Sequence, residues 1–187
     1  SLKKAMAEIF GRRDGYCKGK GGSMHLADCS VGMLGESGSV GSSVPVATGA
    51  ALAMKLSNSP GPAVAYFGDA VPETGQFWEA LNFAALKSLP LLMVCEDNQY
   101  ATATHIRERQ PRVNLWKRVE PFIYNQHIYL DDPKNVWYAT QTCLTRLPAL
   151  LHVDTYRHYG HVGMSEEVGA YRSTTEVEEH KQADPIY

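Results

Sequence analysis

An α/β fold on a parallel sheet is predicted by three features of this 187-residue sequence. Short, wholly apolar runs recur, segments of helical periodicity lie between them, and each run ends in a polar cluster. Leu2 to Phe10 begins the chain as a short helix, apolar at Leu2, Ala5, Met6 and Ile9. Gly11 to Gly41 is glycine-rich, yet Tyr16, Met24, His25, Leu26, Met33 and Leu34 are interleaved in it. A flexible linker would be Ser- and Gly-dominated throughout. The segment therefore reads as an ordered loop whose backbone approaches a ligand or another chain. Pro45 to Leu56 reads as a helix of small residues, among them Ala47, Gly49, Ala50, Ala51 and Ala53. Its surface suits core packing and a subunit contact equally. Ala63 to Phe67 is a short apolar strand. Gln76 to Leu86 is a helix, apolar at Phe77, Ala80, Leu81, Ala84 and Ala85, and Leu91 to Cys95 is a fully apolar strand. An irregular polar stretch follows. Asn135 to Leu147 reads as a helix started by the turn at Asp132 and Pro133, and Ala149 to Val153 as a further strand. No internal repeat is visible, and residues 1–187 read as a single domain.

Composition excludes several functions. The chain is 44% apolar and carries a net charge of −2, so no basic field recruits nucleic acid. No run of 18 apolar residues exists to span a membrane. Ser1 to Ile9 lack the layout of a signal peptide. Cys17, Cys29, Cys95 and Cys143 are scattered, with no CxxC pair for zinc or redox chemistry and no disulfide framework. A reducing compartment is the natural setting.

Ligands of open parallel sheets bind beyond the carboxyl ends of the strands. The first strand runs into Gly68-Asp69-Ala70, the second into Glu96-Asp97-Asn98-Gln99-Tyr100, and the third into Asp154 through His161. Neighbouring strands lie about 4.8 Å apart, so two tips can converge on one ion. Mg²⁺ takes octahedral oxygen ligands, commonly one or two from protein and the rest from phosphate and water. Asp69 and Asn98 offer such oxygens, although Asp and Asn also begin helices and turns everywhere. No GxxxxGK[ST] or GxGxxG stands at a strand-to-helix turn, which disfavours a nucleotide enzyme.

The words around those tips carry a resemblance. Gly68-Asp69 and Glu96-Asp97-Asn98, with 29 positions from Asp69 to Asn98, resemble the thiamine-diphosphate motif that opens with GDG and closes with NN. The stretch from Gly68 to Ala101 closely resembles the alpha subunit of 2-oxo acid dehydrogenase first components. Three further segments agree and follow the family's order: Gly15 to Asp28, Gly35 to Ala53, and Asp154 to Gly163. Together they cover most of residues 1–103 and 149–187. The HLAD and TYRHYGH wording is nearest to the pyruvate and acetoin dehydrogenase branch.

The resemblance implies the three-layer thiamine-diphosphate-binding fold. It implies Mg²⁺ held by Asp69, Asn98 and the carbonyl of Tyr100. The backbone of Ala70 and Val71 would touch the diphosphate, and Gly38 and Val40 the thiamine ring system. Arg157 would grip the diphosphate as a fixed-charge fork, and His161 would move a proton during the reaction of substrate. His25 is open between a cofactor or interface role and plain loop packing. His105, His127, His152, His158 and His180 read as ordinary, His152 as a satisfied core or edge histidine. The activity implied is oxidative decarboxylation of a 2-oxo acid, or cleavage of acetoin, with acyl transfer to lipoamide. It would need a beta subunit in a two-alpha two-beta heterotetramer, which donates the activating Glu, and a lipoyl-bearing transacylase. The alternative is a non-catalytic homologue that keeps the fold as a scaffold or regulatory subunit. The setting implied is the bacterial cytoplasm or the mitochondrial matrix, with the cytoplasm expected.

Four departures bear on the reading. Ala70 replaces the second glycine of GDG, and a backbone with φ > 0 there would be strained. Asp97 replaces the first Asn of NN and adds a negative charge beside a diphosphate. Upstream residues of the family are absent, and Thr104 to Pro148 is shorter than the family's segment, as if loops were omitted. Met164 and Ser165 follow Val162 where regulated relatives carry a phosphorylated Ser, so control by phosphorylation at that point is not expected.

Overall fold

Residues 1–111, 114–129, 132–162 and 170–184 are described by the computed structural model. They divide into two compact units, Ser1–Ser43 and Val44–Tyr187.

In the first unit, helix α1 spans Leu2–Ile9, with the Ser1 hydroxyl accepting the Lys4 N–H at 3.4 Å. Glu8, on α1, is fully buried. Its carboxylate accepts backbone N–H groups from Cys17 at 2.7 Å, Gly19 at 2.9 Å and Gly21 at 2.6 Å. Burial opposes its ionisation, but the bonds from Gly19, Gly21 and Cys17 outweigh that and hold the carboxyl below the usual range. The glycines are required by this approach. A Cβ at Gly15 would stand 2.3 Å from a Glu8 carboxylate oxygen and 2.6 Å from its Cα. Gly19 has φ +77, and a Cβ there would meet the Gly11 carbonyl carbon at 2.4 Å. Between Gly15 and Gly21 the loop's backbone thus approaches a side chain of the preceding helix.

In the second unit, helix α2 (Ser43–Leu56) leads to strand β1 (Ala63–Gly68), a short 3₁₀ turn at Val71–Glu73 and helix α3 (Gly75–Lys87). Strand β2 (Leu91–Asp97) is followed by a two-residue hairpin, β3 (Tyr100–Ala101) and β4 (Thr104–His105). Then come α4 (Ile106–Arg109), α5 (Leu115–Val119), β5 (Tyr124–Ile128), α6 (Pro133–Leu144), β6 (Ala149–Asp154) and α7 (Thr174–Gln182). The main sheet is parallel, in the order β1-β2-β6-β5.

Alternation along the strands sends successive side chains to opposite faces. On one face Phe67, Leu91 and Met93 pack with Val44 and Ala51 of α2, Phe77 and Leu81 of α3, and Val119 of α5. On the other, Leu92, Val94 and Leu151 pack with Ala139 and Cys143 of α6. Each fully buried Leu or Phe contributes about 1.5–3 kcal/mol. The result is the expected three-layer arrangement. Val44, Ala47 and Ala51 give the small-residue helix a core role, while Val46 on its outer side is 60% exposed.

The structure corrects the sequence reading in the polar stretch. Tyr124–Ile128 is an edge strand whose five residues are all half-buried, so no apolar run announced it. Helix α6 begins at Pro133, its first turn capped by the Asp132 carboxylate accepting the Lys134 N–H at 2.8 Å, and it ends at Leu144 instead of Leu147. Met164 and Ser165 lie outside the described residues.

Candidate functional site

The parallel register aligns the carboxyl ends of the strands. Gly68 faces Glu96 and Asp97 faces Asp154, so Asp69, Asp97 and Asp154 end three neighbouring strands. A cavity of about 660 Å³ opens there, lined among others by Asp69, Asp97, His127, His152 and Asp154.

Asp69 follows β1 and is only 4% exposed. The Arg109 guanidinium, carried by α4, donates to its carboxylate and to that of Glu73. The Gln110 amide donates to the Asp69 carbonyl at 2.7 Å and to the Glu73 carboxylate at 2.9 Å. Burial raises the Asp69 carboxyl above its ordinary value; the Arg109 hydrogen bond opposes this and the nearby Asp97 adds to it. Ala70 has φ −80 and ψ −19, in the right-handed region. The expected strain from replacing glycine therefore does not arise, because the backbone here asks nothing that a methyl resists. Val71 begins the following 3₁₀ turn and is 5% exposed.

At the end of β2, Asp97 and Asn98 each hold a turn. Asp97 Oδ1 accepts the Gln99 N–H at 2.9 Å, and Asn98 Oδ1 accepts the Tyr100 N–H at 3.0 Å. The turn feeds the β3–β4 hairpin, where the Tyr100 ring stands 5.0 Å from His105 and 5.2 Å from Tyr171. Asp97 is buried, and its Oδ2 lies 3.0 Å from Nε2 of His152. His152 also reaches Asp154 Oδ1 at 3.4 Å. Burial disfavours the imidazolium, but the bonds to Asp154 and Asp97 prevail and push its pKa up to about 9. The negative charge expected to repel a diphosphate at Asp97 thus has a cation against it.

His127, on β5, completes the cluster. Its Nε2 lies 2.9 Å from Asp154 Oδ1, and its ring stacks on Trp116 with centroids 5.5 Å apart. Asp154 is held low: burial opposes its ionisation, and hydrogen bonds with His152 and His127 overcome that. Sequence reasoning gave neither histidine a functional role, although it read His152 as a core or edge histidine of a strand, and His152 is buried on β6. A signal did exist for His152, because a residue two before Asp154 on a strand shares its face. None existed for His127, whose strand was not recognised.

Beyond β6, Arg157 donates to the Thr102 carbonyl of the hairpin turn and to the Tyr171 hydroxyl at 2.7 Å. One of its nitrogens lies 3.4 Å from Nδ1 of His161, which is exposed. The structure thus brings Arg157 and His161 together and ties them, through Tyr171, to the Tyr100 hairpin. Gly38 and Val40 belong to the first unit, where a Cβ at Gly38 would meet His25 Cε1 at 3.4 Å.

The donors at the tips are hard carboxylate and amide oxygens, which suit Mg²⁺. A cation already stands against Asp69 in the form of the Arg109 guanidinium. Asp69, which faces the cavity and already holds a cation, fits a diphosphate-bearing metal, while Asn98 and Tyr100 are not among the lining of that cavity.

The family model described as Dehydrogenase E1 component matches residues 1–187. The mitochondrial alpha subunit of the pyruvate dehydrogenase E1 component of Solanum tuberosum is 36% identical over 199 residues, covering 100% of this chain and 48% of that protein. The alpha subunit of an acetoin:2,6-dichlorophenolindophenol oxidoreductase of Bacillus subtilis is 38% identical over 187 residues, covering 96% and 55%. The chain spans about half the length of these curated relatives. Among solved structures, a transketolase of Campylobacter jejuni superimposes with a TM-score of 0.59 at 21% identity, over 64% of this chain and 20% of that one. A Mycobacterium smegmatis protein described as thiamin diphosphate-dependent gives 0.55 at 23% identity, over 67% and 24%. Both share the parallel-sheet fold. No helix among the described residues is long and apolar enough to cross a membrane.

Proposed function

Because the chain belongs to the Dehydrogenase E1 component family, we propose that it is an alpha subunit holding thiamine diphosphate and Mg²⁺ for oxidative decarboxylation of a pyruvate-type 2-oxo acid, or for cleavage of acetoin. The observation that carries this reading is Asp69, a carboxylate buried at a strand tip, facing a cavity and already neutralised by a cation. Asp69, Asn98 and the Tyr100 carbonyl would hold the metal. Asn98 need not abandon its turn, since an amide oxygen has two lone pairs and spends one on the Tyr100 N–H. Asp69 would exchange Arg109 for the ion.

The backbone of Ala70 and Val71 would meet the diphosphate, Gly38 and Val40 the thiamine ring system. Arg157 would bind diphosphate oxygens, its fork oriented by Tyr171. His161, exposed beside Arg157, would hold or move a proton at the substrate oxygen. The cofactor, when bound, supplies an electron sink for the carbanion left by decarboxylation. The alpha designation of the relatives supports a beta partner; the proposal extends to a two-alpha two-beta assembly, acyl transfer to a lipoyl-bearing transacylase and a cytoplasmic setting.

Calorimetric titration of thiamine diphosphate and Mg²⁺ into the chain with its beta subunit tests the reading. Saturable binding is expected, and Asp69→Ala should abolish it by removing the metal's charged ligand. Absence of binding in the wild type would favour the scaffold alternative. Binding unchanged by Asp69→Ala would remove the metal assignment.

A further inference from the structure

We propose that His127, His152 and Asp154 form a second metal site, built for a transition-metal ion of the Zn²⁺ class and separate from the oxygen donors at Asp69. The site follows from strand register. His127 and His152 are direct partners across β5 and β6, so both rings project from one sheet face. Asp154 lies two residues beyond His152 and shares that face. Asp97 pairs with Asp154 across β2 and β6 and points the same way.

One nitrogen from each histidine and a carboxylate oxygen of Asp154 lie within 4.8 Å of one another. Ligands of a tetrahedral zinc ion at about 2.0–2.1 Å stand roughly 3.4 Å apart. Two of the separations already have that scale, 2.9 Å from His127 and 3.4 Å from His152 to the same Asp154 oxygen. Asp97 Oδ2, 3.0 Å from His152, is the next donor within reach.

The donor types set the metal. Imidazole, once the ion has displaced its proton, suits zinc, copper, iron and nickel, whereas Mg²⁺ and Ca²⁺ take oxygen. The cluster lines the cavity, so a coordination position is left for water or for an oxygen of a small ligand. The surroundings also fix the histidines: Trp116 stacks on His127, and His152 is 3% exposed. A site held this rigidly loses little freedom on closing around an ion.

The test uses the whole chain, titrated with Zn²⁺ in excess Mg²⁺, and X-ray absorption at the zinc edge. One equivalent of Zn²⁺ is expected to remain bound against Mg²⁺, with imidazole scattering from two rings. His127→Gln, on a half-buried edge strand, should weaken Zn²⁺ at least tenfold. Asp69→Asn should leave it unchanged, so failure of the cofactor site and failure of this one are distinguishable. Zn²⁺ binding that is indifferent to His127→Gln, a sulfur-dominated spectrum, or no retained Zn²⁺ would each overturn the proposal. If His127→Gln does not fold, the wild-type absorption spectrum alone decides.

Discussion

Stability should fall as pH rises through the range in which His152 loses its proton. The imidazole is 3% exposed and bonded to two buried or half-buried carboxylates, Asp97 and Asp154. In the unfolded chain it titrates near 6.5; in the folded chain its pKa is about 9. Between those values the native state binds the extra proton, so stability declines with pH. The contribution is complete below pH 6.5 and gone above pH 9. At 1.36 kcal/mol per tenfold change in proton affinity, the rise amounts to about 3 kcal/mol. The perturbation is a pH series from 6 to 10, with a chelator present to keep metal off the cluster. The assay is urea denaturation followed by tryptophan fluorescence. Asp97→Asn removes one of the two carboxylates and should lower the His152 pKa, flattening the slope over the same window. The reasoning fails if the unfolding free energy is level from pH 6.5 to 9. It fails equally if nuclear magnetic resonance finds His152 titrating at or below 6.5 in the native protein.

Three further outcomes are expected. Glu8 is held below its ordinary 4.5, so its contribution is present above that pH and is lost as the medium acidifies through the depressed value; hydrogen exchange at the Cys17, Gly19 and Gly21 amides should accelerate there, and unchanged protection would refute the link. Ala70→Gly should lower stability by about 0.5–1 kcal/mol through unfolded-chain entropy, because φ is −80; a gain in cofactor affinity, measured by calorimetry, would mean that the glycine torsion is needed after all. Arg109→Gln frees Asp69 from a charge-assisted bond worth about 1.5–3 kcal/mol. Mg²⁺ with thiamine diphosphate should then bind tenfold or more tightly, and weaker binding would place Arg109 on the ligand instead.

Much of the sheet could be read from the letters because β2 and β6 are buried on both faces and β1, an edge strand exposed at alternate residues, is apolar on both. Ala63–Gly68, Leu91–Asp97 and Ala149–Asp154 hold the three apolar runs, each extended by one or two residues into its polar tip. Tyr124–Ile128 escaped notice because an edge strand needs no apolar run, and Asn125, Gln126 and His127 resemble a loop. Helix α7 was missed for a related reason: only Val177 on it is buried. At the site, Asp69 could be found from the rule that ligands gather at strand tips. Its counter-ion could not, because Arg109 lies 40 positions away. The pairing of His127 with His152 likewise exists only once β5 is laid beside β6. For the same reason the cation beside Asp97 could not be foreseen. Sequence gave that carboxylate's charge but not the imidazolium 3.0 Å away.

The cradle around Glu8 is made from main-chain amides of Cys17, Gly19 and Gly21, which no substitution other than proline deletes. Lys18 and Lys20, between those donors, can be exchanged for many residues without touching the interaction. A one-residue insertion or deletion between Gly15 and Gly21 is different, since it rotates the wrong amides toward the carboxylate. Spacing in this stretch is therefore guarded as strictly as the glycines themselves, so a library of single-codon deletions should be intolerant throughout, and a substitution scan chiefly at Gly15, Gly19 and Gly21.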